Sequence, residues 1–335
     1  MTTFKEIRGQ LIRSVSSDPA NPQVGEIWYN NTIGVLKGYK NIGAAWISGG
    51  NLPIAKIGPG GAGTQTAGLI FSGQTPSTPA YTSSTEEYDG SIWTAGGNMN
   101  TARSGLNGAG TQTAGLGFGG YVPPAPGNKN STEEYDGSVW TTGGNLGTAR
   151  YNGSRAGTQT AGLFAGGATY PTPLTRNSTE EYDGSAWTAG GNLNTARRDL
   201  NGDGTQTAAV TFGGRLVASL TSAQNATEEY DGSAWTAGGN LTTARFQLGG
   251  TGSQTAAIAF GGKVTGGNNS VLSELYNGTS WTSGPTMAFA QAVMGSGGTQ
   301  TANFSAGGAS DTSPLISNTQ EYTDPSFGAQ KITTS

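Results

Sequence analysis

The chain has 335 residues, of which 58 are glycine, and it contains neither cysteine nor histidine. The lack of both residue types removes the usual participants of zinc hydrolases, radical-copper oxidases and Ser–His or Cys–His nucleophilic sites, so we expect no metal and no cofactor. The glycines follow no Gly-X-Y period and the formal net charge is only −4. These values exclude a collagen-like chain and argue against a disordered one.

The first 45 residues differ from the rest in charge and pattern. They carry five basic and three acidic side chains, whereas residues 46–335 carry 12 basic and 18 acidic ones and lack the basic surface that binds nucleic acid. A segment with strand-like apolar positions, Phe4 to Val15, is followed by a proline-stiffened link and two short strands. We predict that residues 1–45 form a β-rich docking arm. Its predicted assembly residues are Phe4, Ile7, Leu11, Trp28 and Tyr29.

A unit of 46 to 48 residues recurs from residue 46 onward. Each unit contains a Trp, a T/S-Q-T triplet, a glycine-rich stretch and a Tyr. This period is typical of propeller blades and of helical repeats, but the frequent glycines and the Thr, Tyr, Trp and Phe residues favour strands. The repeat positions are Trp46, Trp93, Trp140, Trp187, Trp235 and Trp281, followed by Tyr88, Tyr135, Tyr182, Tyr230, Tyr276 and Tyr322.

The pattern predicts four strands, A to D, in each unit. Strand A follows a T-A-R segment, strand B is the TQTAGLxFGG run, strand C ends in STEEY and strand D begins at the Trp. Asp-Gly pairs such as Asp136-Gly137 lie between strands C and D. They predict type I′ hairpins at these connections.

The double glycine that closes strand B, followed by Tyr and then Trp, resembles the kelch repeat, a four-stranded propeller blade. The resemblance covers residues 46 to 323. The Tyr and Trp of this chain are closer together than is usual for kelch repeats, and glycines are more numerous. The Asp-box and WD40 patterns fit less well, since Tyr88 and Thr94 stand where those blades have Asp.

The count of strands predicts how the ring closes. The chain supplies a D-type strand at Trp46, and after Trp281 it supplies strands A, B and C but no further Trp. We therefore expect an all-β fold: a six-bladed kelch-like propeller over 46–323, closed by the N-terminal outer strand at Trp46. Residues 324–335 are expected to form a C-terminal tail.

Paired carboxylates recur in strand C of four units, beginning with Glu86-Glu87. A catalytic interpretation requires several equivalent sites, whereas enzymes usually have one asymmetric site. A basic partner lies ten residues after each of the first five Trp residues, and we expect it to form ion pairs between blades, with an electrostatic binding ring as the alternative. These partners are Lys56, Arg103, Arg150, Arg197 and Arg245. The Trp residues could serve as sugar-stacking platforms, but their regular recurrence favours blade packing.

The connections between strands B and C diverge although the flanking strands are nearly duplicated. Loops on a rigid scaffold are the usual place for recognition, while neutral drift of exposed loops is the alternative. Exposed aromatic and Arg side chains make good anchors, so we predict contacts there. The predicted binding residues are Tyr81, Tyr121, Tyr170, Arg176 and Arg215.

The segment Gly-x-Ile-Trp-Tyr-Asn from Gly25, with its turn and following Leu-Lys strand, resembles a motif near the N-termini of tail-fibre and other virion proteins of bacterial viruses, especially marine ones. The near-identical Gly-, Thr-, Asn- and Ser-rich copies also resemble such proteins. The resemblance implies a virion location and partners among other virion proteins or copies of this chain. It supplies no catalytic or receptor residues.

Two classes of function therefore compete. The first is a non-enzymatic virion component, a tail fibre, appendage or decoration, whose propeller binds a host-surface glycan or protein or simply decorates the particle. The second is a secreted or cell-surface propeller that binds carbohydrate or protein, or, as a weaker alternative, cleaves glycans. Neither class requires nucleic acid or a membrane as a partner.

Overall fold

The computed structural model of the protein describes residues 12–19, 26–41, 43–76, 80–124, 127–170, 174–217, 219–324 and 327–331. The chain divides into two compact units. The small unit consists of Met1–Ala45 with Thr323–Ser335, and the large unit is Trp46–Tyr322. The predicted assembly residues Phe4, Ile7 and Leu11 lie outside the described residues. No helix in the described ranges is long and apolar enough to span a membrane.

The described chain is built from strands. In order they are β1 (Arg13–Val15), β2 (Ile27–Asn30), β3 (Val35–Asn41), β4 (Ala45–Ser48), β5 (Gly60–Thr64), β6 (Ala67–Phe71), β7 (Thr85–Tyr88), β8 (Trp93–Ala95), β9 (Asn107–Thr111), β10 (Ala114–Phe118), β11 (Thr132–Tyr135), β12 (Trp140–Thr142), β13 (Ser154–Thr158), β14 (Ala161–Ala165), β15 (Ala168–Thr169), β16 (Leu174–Thr175), β17 (Thr179–Tyr182), β18 (Trp187–Gly190), β19 (Asn201–Thr205), β20 (Ala208–Phe212), β21 (Thr227–Tyr230), β22 (Trp235–Ala237), β23 (Arg245–Phe246), β24 (Gly249–Ser253), β25 (Ala256–Phe260), β26 (Lys263–Val264), β27 (Ser273–Tyr276), β28 (Trp281–Ser283), β29 (Gly295–Gly298), β30 (Ala302–Ala306), β31 (Thr319–Thr323) and β32 (Phe327–Lys331).

The large unit is all-β and has the sheet organisation of a multi-blade propeller. Its four-stranded sheets, in chain order, are sheet 1 (β5 to β8), sheet 2 (β9 to β12), sheet 3 (β13, β14, β17, β18), sheet 4 (β19 to β22), sheet 5 (β24, β25, β27, β28) and sheet 6 (β29, β30, β31, β4). In sheets 1 to 5 consecutive strands are antiparallel neighbours. Sheet 6 takes its fourth strand from the start of the large unit, where β4 lies beside β31.

The first two strands of each sheet form a tight hairpin. In sheet 2, Ala114 pairs with Thr111, so Gln112 and Thr113 form the turn. The assignment of the whole TQT triplet to strand B was therefore wrong. The Gln side chain projects from the turn, and the Gln112 Nε2 group donates to the carbonyls of Gly68 (3.0 Å) and Tyr88 (2.9 Å) in sheet 1.

The connection between the third and fourth strands is a four-residue loop. Tyr135 pairs with Trp140, and the Asp136 Oδ1 atom accepts hydrogen bonds from the Ser138 N–H, the Ser138 hydroxyl and the Val139 N–H, each at 2.8 Å. Only Gly137 of the Asp-Gly pair has a positive φ (94°). A type I′ turn needs positive φ at both central residues, so that prediction was wrong. The carboxylate instead holds the loop in an Asx-type turn.

The apolar core of the large unit lies between consecutive sheets. Phe71 and Leu69 of sheet 1 pack with Tyr135 and Trp140 of sheet 2, with 4.7 Å between the Phe71 and Trp140 ring centroids. The Trp140 Nε1 group also donates to the Thr85 hydroxyl of sheet 1 at 2.9 Å. Each Trp therefore contributes to the contact with the preceding sheet, as its recurrence predicted.

The small unit has its own sheet, in which β1 runs parallel to β2 while β2 and β3 are antiparallel. Asp18 holds it together: its carboxylate accepts from the Trp28 indole (3.1 Å), the Asn30 amide (3.0 Å) and the Lys37 ammonium (2.5 Å). These hydrogen bonds lower the pKa of Asp18 to about 2. Strand β32 pairs with β3, so the segment expected to be a C-terminal tail contains a strand of this sheet.

Candidate binding face

Six equivalent residues form a closed ring of backbone hydrogen bonds. Each lies just before the first strand of a sheet and has a φ between 53° and 64°. Each N–H donates to the carbonyl of the equivalent residue in the preceding copy at 2.7 to 3.0 Å, and the Gly58 N–H donates to Val293, which completes the cycle. We call these residues the backbone ring: Gly58, Gly105, Asn152, Asp199, Gln247 and Val293.

Two sets of side chains that differ between copies surround the backbone ring. One set immediately precedes the ring residues, and the other follows the double glycine or its equivalent at the start of the connection between the second and third strands. The two sets bridge each other in antiparallel fashion. The surface they form, the loop face, comprises the pairs Ile57 and Gln74, Ser104 and Tyr121, Tyr151 and Ala168, Arg198 and Arg215, Phe246 and Lys263, and Ala292 and Ala309.

Tyrosines cluster on the part of the loop face next to sheets 1 to 3. The Tyr121 ring lies 5.6 Å from that of Tyr151 and 5.7 Å from that of Tyr170, measured between centroids. Tyr170 is 38% exposed. Burial and the nearby Tyr121 raise the pKa of Tyr81. Of the predicted binding residues, Tyr81 and Tyr170 thus lie near Tyr121, and Tyr121 together with Tyr151 lines a pocket.

Arg215 is a buried structural residue. It is 9% exposed, its Nε group donates to Asp199 at 2.5 Å, and its guanidinium lies 4.7 Å from the centre of the Phe246 ring. Arg198 donates to the same Asp199 carboxylate at 3.1 Å. The prediction of Arg215 as an exposed anchor was wrong. Its side chain is buried because it pairs with the carboxylate of Asp199, a backbone-ring residue sixteen positions earlier in the chain.

Arg176 is half-buried at the edge of the loop face. Its Nη2 group donates to the Thr169 hydroxyl at 3.4 Å, across the short hairpin of β15 and β16. Desolvation lowers the pKa of the neighbouring Arg150, and the positive charge of Arg176 lowers it further. Arg176 therefore does not extend freely from the surface, and Tyr170 is the more accessible residue of this loop.

The first carboxylate of each pair holds the connection that enters its own sheet, so the expectation of ion pairs between blades was wrong. Arg245 Nη2 lies 2.9 Å from Glu274 Oε1, and the other Glu274 oxygen accepts the Thr242 N–H at 2.6 Å. The other charged pairs are Lys56 with Glu86, Arg103 with Glu133 (3.2 Å), Arg150 with Glu180 (3.1 Å) and Arg197 with Glu228 (2.9 Å). In sheet 6 the pair is uncharged, since the Gln320 amide donates to Gln291 at 2.9 Å.

The second carboxylate contacts the following sheet. The Tyr135 hydroxyl donates to Glu87 at 2.5 Å, and equivalent bonds join Tyr182 to Glu134, Tyr230 to Glu181, Tyr276 to Glu229 and Tyr88 to Glu321. Burial, reinforced by the hydrogen bond to the carboxylate, raises the pKa of each of these tyrosines to about 12. Both carboxylates are thus committed to structure, and the described residues contain no His, Cys, Asp and Glu group that could hold a metal.

Arg155 breaks the regularity of the first strands. Arg155 in β13 occupies a position that is Gly61, Gly108, Gly202 or Gly250 in other copies and Ser296 in the sixth. Its guanidinium donates to the Ser296 carbonyl (2.9 Å) and hydroxyl (3.1 Å) in sheet 6. Burial lowers the pKa of Arg155 and raises that of Asp203 in the next sheet. The guanidinium thus fills space beneath the backbone ring.

In the small unit, Trp28 is fully buried and Tyr29 is 41% exposed. Trp28 therefore belongs to the core of that unit, where its indole N–H binds Asp18, and the prediction that it is an assembly contact was wrong. The strand alternation explains this, since neighbouring residues point to opposite faces. Tyr29 remains available for a partner.

Several residues of the loop face were missed from the sequence. Tyr151, Arg198, Asp199 and Phe246 lie near the start of a repeat unit, in a segment treated as connecting chain. The sequence did contain a signal for these residues, because their positions vary between copies while the neighbouring positions repeat. Arg155 could have been found in the same way, as the single charged residue at a position otherwise held by Gly or Ser.

No protein-family model matches the chain, and no curated protein matches it. Among solved structures, the chain is similar to one titled "Structure of YjhT", with a TM-score of 0.68 and 13% sequence identity. The match covers 84% of this chain and 99% of that one. At this identity the similarity shows the fold alone, and that fold is propeller-like.

Proposed function

We propose that this protein is a non-enzymatic structural component of a bacterial-virus particle, a tail fibre, appendage or decoration. Its large unit is a closed six-bladed kelch-like propeller that displays the loop face toward a host surface. The observation that carries the proposal is the distribution of differences between copies. The strands are nearly duplicated, while the side chains around the backbone ring differ in size, charge and aromatic character.

Three observations support closure with six blades. The first strands of consecutive sheets contact each other in series, and β29 contacts β5. The backbone ring is cyclic. The contacts that join other consecutive sheets also join sheet 6 to sheet 1, since the Gln65 amide donates to the Tyr322 carbonyl (3.1 Å) and the Trp93 indole to Thr319 (2.9 Å).

The virion location and the role of residues 1–45 rest on the resemblance of the Gly-x-Ile-Trp-Tyr-Asn segment to virion proteins. In the structure this segment lies in a unit separate from the large one, with Tyr29 exposed on β2. Such a separation suits a protein that docks through one unit and displays the other. The partners of the small unit would be other virion proteins or further copies of this chain, without nucleic acid or membrane.

Immunogold electron microscopy tests the location. Antibodies against the full chain are applied to virus particles and to envelope and medium fractions of the source culture. Gold on tails or capsid appendages supports the proposal. Gold confined to the cell envelope or the medium contradicts it and favours a secreted or cell-surface binding propeller.

A further inference from the structure

Resting on the proposed display function, we infer that the pocket among the tyrosines of the loop face binds an uncharged saccharide. The pocket is lined by Ile57, Gln74, Ser104, Tyr121 and Tyr151, together with residues of the backbone ring. Each of these five side chains is half-buried, so a ligand can reach it without unfolding of the chain. The proposed function leaves the ligand of the loop face unspecified, and an uncharged saccharide would be that ligand.

The polar groups of the pocket have unused hydrogen-bonding capacity. Within the part of the chain that the structure describes, the Gln74 amide and the hydroxyls of Ser104, Tyr121 and Tyr151 contact no protein hydrogen-bond partner. Repeat side chains such as Gln112 and Trp140 differ in this respect, because each is hydrogen-bonded to a neighbouring sheet. Hydroxyl and amide groups that converge without partners are suited to a ligand rich in hydroxyl groups.

The apolar part of the pocket suits the carbon face of a sugar ring. The Tyr121 and Tyr151 rings are inclined at 45° to each other, and the Ile57 side chain also lines the pocket. Aromatic rings with polar tips provide both a flat apolar contact and a hydrogen bond, at little cost in conformational entropy. A planar aromatic ligand would leave the amide and the three hydroxyls without partners.

The charge of the pocket argues for an uncharged ligand. No charged side chain is among the described residues that line it. The Arg198 guanidinium lies 5.3 Å from the centre of the Tyr151 ring, but it is already bonded to Asp199. A carboxylate or sulfate group in the pocket would lose its hydration without gaining an ionic partner.

Saturation-transfer NMR and calorimetry on the full chain test the inference. The probes are the methyl glycosides of glucose, galactose and N-acetylglucosamine, with methyl glucuronide as the charged comparison. We expect at least one uncharged glycoside to bind. We expect Tyr121→Ala and Gln74→Ala each to weaken that binding tenfold or more without a change in the melting temperature. If none of the uncharged glycosides binds, or if the glucuronide binds more tightly, the inference is overturned.

Lys263→Ala is the matched control, because Lys263 occupies the position of Gln74 and Tyr121 in sheet 5. It should change affinity by less than twofold. An equal loss in the control and the pocket variants would place the site elsewhere and overturn the inference. Gold labelling of particles together with absent saccharide binding would overturn only this inference, whereas saccharide binding with label confined to cells would overturn only the virion location.

Discussion

At the scale of single residues, each third strand with two adjacent carboxylates directs them to different contacts. Glu133 holds the connection that enters sheet 2 through Arg103 and the Asn100 N–H, while Glu134 accepts the Tyr182 hydroxyl of sheet 3. Because neighbouring residues of a strand point to opposite faces, two adjacent carboxylates can serve two different contacts. This arrangement accounts for the recurrence of the pair without any catalytic role.

The uncharged pair in sheet 6 provides a template for a charge-removal test in sheet 5. Arg245→Gln should leave Glu274 buried without its ionic partner and lower the free energy of unfolding by about 3–5 kcal/mol. The double change Arg245→Gln with Glu274→Gln reproduces the Gln291 and Gln320 pair and should recover most of that loss. Urea unfolding of the single and double variants measures both effects. Additive losses would contradict a pairwise contact.

The tyrosine hydroxyls predict a loss of stability at high pH. The pKa of Tyr135 is raised to about 12 in the folded chain, against about 10 in an unfolded one. Its stabilising contribution is therefore complete below pH 10 and is lost as the pH rises toward 12, because the unfolded state releases the proton first. The difference in unfolding free energy between the wild type and Tyr135→Phe should shrink over this range. Since other titrating groups are common to both proteins, a constant difference would refute the assignment.

The sequence was sufficient for residues whose partners recur with the repeat, and insufficient where a partner occurs once. The Trp and Tyr positions and the basic partners of the Glu pairs could be predicted because six copies share each contact or a substituted form of it. Arg215 could not, since its environment depends on Asp199, which has no acidic equivalent in the other copies. The Arg155 contact with Ser296 joins residues 141 positions apart, and no local pattern encodes it.

At the scale of elements, the hairpins and loops show how short segments set the register of each sheet. The Gln-Thr turn keeps Ala114 opposite Thr111, and the Asp136 loop keeps Tyr135 opposite Trp140. A shift by one residue would turn the Tyr and Trp rings away from the neighbouring sheet. Sheet 5 keeps the same loop geometry with Asn277, whose side-chain oxygen accepts from Thr279 (2.9 Å) and Ser280 (2.8 Å).

The loop of sheet 2 provides the corresponding prediction. Asp136→Ala removes the acceptor for two backbone N–H groups and a hydroxyl, so we expect the unfolding free energy to fall. Asp136→Asn should be nearly neutral, because Asn277 performs the same role in sheet 5. Chemical denaturation of the two variants decides the point. Equal losses for Ala and Asn would show that charge, rather than the acceptor atom, holds the loop.

At the scale of the whole large unit, the proposed closure depends on β4, which precedes every other strand of that unit. Strand β4 lies beside β31, and the residues that follow β4 add two backbone hydrogen bonds. The Gly49 N–H donates to the Thr319 carbonyl (3.0 Å), and the Leu52 N–H donates to the Ser317 carbonyl (2.7 Å). The Trp46 ring lies 4.8 Å from that of Phe260 and 5.5 Å from that of Tyr322. One aromatic side chain thus connects β4 to sheets 5 and 6.

Trp46→Ala should consequently lower the free energy of unfolding by about 3–5 kcal/mol, the usual cost of an aromatic truncation in a packed site. Ile47→Ala is the matched control, because Ile47 is adjacent in β4 and 55% exposed. Its effect should stay within about 0.5 kcal/mol. Thermal and urea unfolding measure both variants. An unchanged unfolding midpoint for Trp46→Ala would contradict the proposed closure by β4.

The position of β4 also has a consequence for folding during synthesis on the ribosome. This strand is synthesised some 270 residues before its partner β31, which at a translation rate of 5–20 residues per second is a delay of roughly 15–50 s. During that interval Trp46 and the edge of β4 have no sheet to join, while sheets 1 to 5 can form as they emerge. The nascent chain must therefore keep an aromatic strand from pairing with one of five nearly identical earlier sheets. Sheet 6 differs in composition from the earlier sheets, since Gln320 and Gln291 replace the usual charged pair.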